Sequence, residues 1–291
     1  MKYPPPIFPP TVLPPKRTPH LLGIDVTATV HRCFHATLAD GRPEDAVRVT
    51  MQSIAKMLRK GEPTHVAFAM DPGGPTWRDE VLDGYKAGRP PKPPELNAAL
   101  VRVSGIILAE GLPLLTNARY EADDMLATAC VAARRAGLPV VLGCHDKDMR
   151  QLVDATTVVM AGEECNAVTL WDGSRSIGAK EVTEIHGVAP ARMAEWLAIA
   201  GDTVDGIPGV VGIGGKGAAE LLNRTHRSLE QLIAAPDWIA DKTMRAKVKA
   251  HAAQLAIYLR ITQLVTNAVP VVVDELQRDP LVVADQLLGA A

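Results

Sequence analysis

Nine acidic residues are the strongest candidates for chemistry in this chain: Asp25, Asp71, Glu121, Asp123, Asp124, Asp146, Asp148, Asp202 and Asp205. The densest group lies in Tyr120-Glu-Ala-Asp-Asp124, just before an apolar helical run. Like charges crowded this way repel and raise each other's pKa. One reason to keep them is local, since acids in a helix's first turn complement its dipole and cap it, at roughly 0.3–1 kcal/mol each. The other reason is a cation. With no matching set of histidines or cysteines, an oxygen-only cluster selects hard divalent ions, Mg²⁺ first and Mn²⁺ as a substitute. Mg²⁺ keeps several waters and takes one or two carboxylates directly, so nine acids imply two or more ions. Two ions about 4 Å apart suit in-line displacement at a phosphodiester.

The elements that must position these acids can be read from the hydrophobic pattern. Leu21–Asp25, His65–Asp71 and Leu138–Asp146 are apolar runs that each end on an aspartate. Between them, Pro43–Lys60, Glu95–Glu110 and the stretch after Tyr120 carry helical spacing, with a short strand at Leu112–Thr116. Strands alternating with helices predict a parallel α/β sheet covered on both faces, with ligands at the carboxyl ends of its strands. Asp146 and Asp148 share one side if their strand continues, and the pairs Glu121/Asp124 and Asp202/Asp205 have the spacing of one helical face. Thr157–Met160 and Ala167–Trp171 read as edge strands, and from Gly178 onward the pattern is all-helical.

Two further stretches suit a polyanion. Gly209–Gly217, between helices, is either a flexible turn or a stretch glycine-rich enough for backbone amides to approach a phosphate, with Gly212, Gly214, Gly215 and Lys216 as its candidate contacts. It lacks the P-loop spacing, because Gly217 follows Lys216. Lys242, Arg245 and Lys249 form a basic stripe on a helix expected over Lys242–Leu264, either a solvated face or a phosphate contact. In the segment Trp77–Lys92, Lys86 and Arg89 could steady charge on a scissile phosphate. Tyr85 could stack on a terminal base or be an ordinary half-buried tyrosine, while Arg78 and Lys92 are further candidate DNA contacts.

Composition narrows the class. The chain has 291 residues, 31 basic and 33 acidic, and without the nine site acids the balance becomes 31 against 24, or +7. That suits a polyanionic ligand. No apolar run is long enough to span a membrane. Met1–Pro19 holds eight prolines and no apolar signal core, so it reads as a disordered leader over 1–20. Four scattered cysteines without metal-ligand spacing point to a reducing, cytoplasmic setting.

In order, these blocks resemble the bacterial and phage 5′-nuclease family: the 5′→3′ exonuclease domain of DNA polymerase I and its stand-alone flap-endonuclease relatives. They are Ile24-Asp25 with Arg32-Cys-Phe-His-Ala36, Asp71 with Trp77–Val81, Tyr85-Lys86 with Arg89-Pro-Pro91, and Tyr120–Asp124. Asp146–Met149 with Gln151–Val153 follows, then Gly201-Asp202, Asp205, Ile207–Val210 and Gly212–Lys216. The resemblance implies a PIN-like nuclease core over 21–177 with a helical arch at about 77–97. It implies a helix-three-turn-helix DNA-binding region over 178–291.

It also implies that Lys86, Arg89 and Arg32 face the phosphate, that all nine acids serve the metals, and that carbonyls around Val210 and Ile213 hold K⁺. The implied partner is DNA with 5′ ends, flaps or nicks, acted on by a monomeric, stand-alone enzyme. Three positions depart from the family pattern: Val26 replaces a glycine, His31 a tyrosine, and Gly206 the asparagine of Asp-Asn-Ile-Pro-Gly. Two alternatives remain: a non-catalytic module for branched DNA, or removal of RNA primers from RNA–DNA hybrids.

Overall fold

The computed structural model describes residues 19–144, 146–154, 157–159 and 177–291. The leader, the expected strand at Ala167–Trp171 and Cys165 lie outside the described residues. Five parallel strands form one sheet in the order β3-β2-β1-β4-β5. In chain order, β1 (Leu21–Asp25) leads into α1 (Val26–Ala39) and α2 (Ala46–Gly61), then β2 (His65–Ala69). The short α3 (Trp77–Val81) and long α4 (Pro94–Ala109) precede β3 (Leu114–Leu115). α5 (Ala122–Arg135), β4 (Val140–Gly143) and β5 (Thr157–Val159) complete the sheet region. β1 is buried at all five positions because both faces of the sheet are covered, which is why its sequence runs apolar instead of alternating.

Each face has its own core. On one side Phe34, Met51, Ile54, Leu58 and Val103 from α1, α2 and α4 pack on Ile24 and Phe68. On the other side Met125, Leu126 and Ala129 of α5 pack on the sheet. That core continues without interruption into the helices that follow: α6 (Ala179–His186), α7 (Met193–Ala200), α8 (Gly215–Thr225), α9 (Leu229–Ala234), α10 (Lys242–Ala250) and α11 (Ala252–Thr262). The expected single helix over Lys242–Leu264 is broken at His251, which has non-helical backbone angles. Its first half is basic and its second, α11, buries one apolar face with Leu255, Tyr258, Leu259 and Ile261.

The last helix, α12 (Pro280–Gly289), returns to the first core, where Val283, Ala284 and Leu287 are buried beside α2. The sequence-contiguous division at 177/178 therefore leaves one helix of the second region inside the first core. The arch segment is helical at its ends, α3 and the first turn of α4. Turns over 82–89 and prolines 90, 91 and 93 fill the space between. No helix of the described residues is long and apolar enough to cross a membrane.

Candidate active site

Strand order reverses direction between β1 and β4, the position in such sheets where a crevice opens at the strand ends. Asp25 ends β1 and caps α1 by accepting from the Ala28 amide at 2.8 Å. Asp71, two residues beyond β2, accepts from the Ala122 amide at 2.8 Å and so ties its strand end to the start of α5. Asp146 and Asp148 follow β4. They do not sit on a continued strand as the two-residue spacing suggests, because β4 stops at Gly143 and Asp148 opens a 3-10 turn. The Asp148 amide instead donates to Asp146 Oδ1 at 2.9 Å, which folds the two acids onto one turn.

These acids feel one another strongly. Burial, then the charges of Asp71 and Asp146, push Asp25 up to about 7. Burial and the charge of Asp146 also raise Asp123 and Asp148. Asp123 Oδ1 and Asp148 Oδ1 are buried with no hydrogen-bond partner among the described residues. Buried polar atoms are normally satisfied, so two orphaned carboxylate oxygens facing like charge mark a place that suits a cation the chain itself does not supply. No group of three or more acids close enough to hold one ion is found among the described residues. The donor set is all oxygen, so the residues fit hard divalent ions.

Asp124 differs. It is fully buried and accepts from Arg78 Nη1 and Nη2 at 2.6 and 2.8 Å, from the Val265 amide at 2.9 Å and from the Glu121 amide at 3.2 Å. Its acceptor capacity is filled, which corrects its assignment as a metal ligand. Consecutive helical residues point about 100° apart. Asp123 therefore faces the acids while Asp124 faces under the helix, where Arg78 clamps α3, α5 and, through Nε to the Ile261 carbonyl at 2.9 Å, α11. Arg78 is 2% exposed, so its expected role as a DNA contact is also corrected. Glu121 is the N-cap of α5 with extended backbone and does not share a helical face with Asp124; what the two acids share is Arg78, whose Nη1 lies 3.4 Å from Glu121 Oε2.

Cations of the chain occupy three of the other acids. Lys86 Nζ lies 2.9 Å from Glu121, Arg89 Nη2 2.5 Å from Asp205 and Lys147 Nζ 2.8 Å from Asp202. Burial works against the Lys86 ammonium, but the charges of Glu121 and Asp205 outweigh it and raise its pKa. Arg89 is raised in the same way, with Asp205 outweighing burial. Tyr85 is 7% exposed and cannot stack on a base: its hydroxyl donates toward Glu121 at 3.2 Å and Asp205 at 3.4 Å. Burial and the charge of Glu121 raise that hydroxyl's pKa far above its ordinary value. Asp202 and Asp205 lie on a turn instead of a helix, closed by paired Asp202–Ile207 backbone bonds of 2.7 and 2.8 Å.

Gly206 sits in that turn at φ +72°, and a Cβ there would meet the Gly84 carbonyl at 2.7 Å. The turn and the arch base can touch because Gly206 has no side chain, and the Lys86 amide donates to the Asp205 carbonyl at 3.0 Å beside them. Val26 is buried at the first position of α1, and His31 has its pKa lowered by burial and by Lys92. Arg32 is half-buried and donates to Ser53 Oγ of α2 at 3.3 Å.

In the glycine-rich hairpin, Gly214 and Lys216 are exposed at the start of α8. Gly215 has a packing reason to be glycine: a Cβ would meet the Trp196 ring at 2.6 Å, and Trp196 Nε1 donates to its carbonyl at 2.8 Å. The Gly212 carbonyl accepts from Lys247 Nζ at 2.9 Å. Val210 and Ile213 bury their side chains, and the Ile213 amide donates to the Val210 carbonyl at 2.9 Å. Lys92, Lys242 and Lys249 are exposed, whereas Arg245 turns back onto the Ile239 carbonyl at 2.9 Å. Sequence reasoning does not single out Lys147 or Lys247. Lys147 stands between two site acids and so carries a signal, whereas Lys247 carries none.

Two family models match the chain. One, the 5′-3′ exonuclease N-terminal resolvase-like domain, covers residues 20–186, and the other, the 5′-3′ exonuclease C-terminal SAM fold, covers 188–282. DNA polymerase I of Pseudomonas aeruginosa is 35% identical over 229 residues, 77% of this chain and 24% of that protein. The thermostable DNA polymerase I of Thermus filiformis is 34% identical over 265 residues, 90% of this chain and 30% of that protein. The chain thus spans less than a third of the length of these relatives.

Among solved structures, the bacteriophage T5 D15 protein co-crystallised with metal ions matches with a TM-score of 0.70 at 19% identity, over 94% of this chain and 99% of that one. Human GEN1 in complex with Holliday junction DNA matches with a TM-score of 0.61 at 14% identity, over 92% of this chain and 66% of that one. At these identities the structural matches establish the fold. With both domain models in order along nearly the whole described chain, the protein belongs to the 5′-3′ exonuclease family.

Proposed function

We propose that the chain hydrolyses phosphodiester bonds at 5′ ends, flaps and nicks of DNA, using divalent ions held by its strand-end acids. The observation that carries this reading is the pair of buried, unpartnered oxygens on Asp123 and Asp148 among mutually repelling carboxylates. Asp25, Asp71, Asp123, Asp146 and Asp148 would hold one ion or its water, with Asp202 and Asp205 completing a second position, while Glu121, also expected among the ligands, holds the Lys86 ammonium. Mg²⁺ is the ion proposed, with Mn²⁺ able to replace it. When bound, such ions supply activation of water and stabilisation of the leaving oxygen.

The chain's own residues do the rest. Lys86 and Arg89 hold positive charge at the mouth of the acid cluster, where a phosphate's developing charge would lie. Tyr85 keeps Glu121 and Asp205 in register from below. The amides at the start of α8, with Lys216, Lys242 and Lys249, would grip the duplex backbone, and carbonyls near Val210 and Ile213 would hold K⁺.

The test is cleavage of a 5′-labelled flap duplex in Mg²⁺. The reading predicts cleavage by the wild type and its loss in Asp146→Ala. A wild type inert in both Mg²⁺ and Mn²⁺, with Ca²⁺-supported binding intact, would instead make this a branched-DNA-binding module. Preferential cleavage of an RNA 5′ strand would shift the substrate to RNA–DNA hybrids.

A further inference from the structure

The site acids fall into two classes by their partners. Asp25, Asp71, Asp123, Asp146 and Asp148 form no ion pair with a basic side chain among the described residues, and two of them carry the orphaned oxygens. Glu121, Asp202 and Asp205 are each paired with a cation of the chain. Asp202, one of the two acids of the second position, has both oxygens occupied. Its Oδ1 accepts from the Val204 amide at 3.1 Å and its Oδ2 accepts from Lys147 Nζ at 2.8 Å. The carboxylate is only 5% exposed, whereas the Lys147 side chain is 37% exposed.

We propose that Lys147 is the resident counter-ion of Asp202, competing with the second divalent ion and yielding its place when that ion binds. This rests on the metal-dependent reading above and concerns the order and strength of ion binding. A first ion meets acids with no cation to displace and relieves repulsion that already exists. A second ion must free Asp202 Oδ2 from Lys147 and Asp205 from Arg89. The two events therefore have unequal affinity, and Lys147 sets part of the gap. Its exposed stem lets the ammonium swing away at little cost. The freed ammonium stays within a side chain's length of the acids and adds positive charge at the mouth of the cleft.

The experiment is calorimetric titration of Mn²⁺ into the metal-free full chain, comparing wild type, Lys147→Met and Lys147→Arg. Lys147→Met keeps the aliphatic stem and removes the competitor. An ion pair with one solvent-exposed partner is weak, so the weaker Mn²⁺ site should tighten by only about three- to fivefold. The stronger site should move by less than twofold, and Lys147→Arg should behave as wild type. Because the Lys147 side chain reaches the surface, equal melting temperatures in EDTA confirm that folding is unchanged. If wild type binds two Mn²⁺ and Lys147→Met leaves the weaker site unmoved, or tightens both sites alike, Lys147 is no competitor for the second ion. If wild type binds no Mn²⁺, the metal-dependent reading itself fails, which is a different result.

Discussion

Asp123 and Asp124 are neighbours of one residue type, yet the structure gives them opposite energetic roles, and their isosteric variants should separate. Asp124 and Arg78 are paired at 2.6 Å with side-chain exposures of 0% and 3%. Replacing Asp124 by Asn keeps the volume but strands a buried guanidinium and turns an amide nitrogen toward it. Breaking one side of such a buried pair costs about 3–5 kcal/mol. For a chain of this size that is a fall in Tm of roughly 6–20 °C, at about 2–4 °C per kcal/mol. Asp123→Asn, in contrast, removes a charge whose pKa is raised by burial and by Asp146, so it should raise the Tm of the metal-free protein. The assay is differential scanning calorimetry in EDTA at neutral pH, alongside flap cleavage in Mg²⁺. Asp123→Asn should be stable and inactive, and Asp124→Asn unstable. An Asp124→Asn protein that loses cleavage yet melts within about 2 °C of wild type, less than 1 kcal/mol of destabilisation, would refute a structural role for Asp124.

Three other outcomes follow from the same geometry. Asp25 sits near pKa 7 against an ordinary 3.8, and Asp123 and Asp148 are raised with it, so in that window the folded metal-free protein binds more protons than the unfolded chain. Its stability should fall as pH rises from about 4 to about 7, Mg²⁺ should reverse the fall, and ion binding below pH 7 should release protons into buffer. Gly206→Asn restores the usual family residue but drives a Cβ to 2.7 Å from the Gly84 carbonyl, so it should cost roughly 1–3 kcal/mol by denaturant titration. A neutral result would mean the turn and arch base do not pack as described. Lys86→Met should lower the single-turnover rate by on the order of 10²-fold while Ca²⁺-supported DNA binding changes little. An unchanged rate would count against Lys86 as a catalytic group.

The sheet and its strand-end aspartates are legible in the sequence because buried parallel strands read as continuous apolar runs and because ligands gather where such strands end. Asp25, Asp71 and Asp146 follow from that pattern alone. The fate of Asp124 is not legible. One helical step separates it from Asp123, and its partner Arg78 lies 46 residues earlier in a segment that reads only as charged. Tyr85 escapes for the same reason: burial under the arch depends on Glu121 and Asp205 arriving from two distant elements. Gly215 looks like a phosphate-binding glycine, but its missing side chain is required by Trp196. The return of α12 to α2 escapes a reading by contiguous blocks, because an amphipathic helix does not announce which core it covers.

Whether the strand-end acids form a divalent-metal site is decided by a crystal soaked with Mn²⁺. Two anomalous peaks are expected, the stronger among Asp25, Asp71, Asp123, Asp146 and Asp148 and the weaker beside Asp202 and Asp205. Lys147 should be swung off Asp202, and Asp124 should remain clamped by Arg78. No peak among these acids, or a peak coordinated by Asp124 with Arg78 displaced, would contradict the assignment.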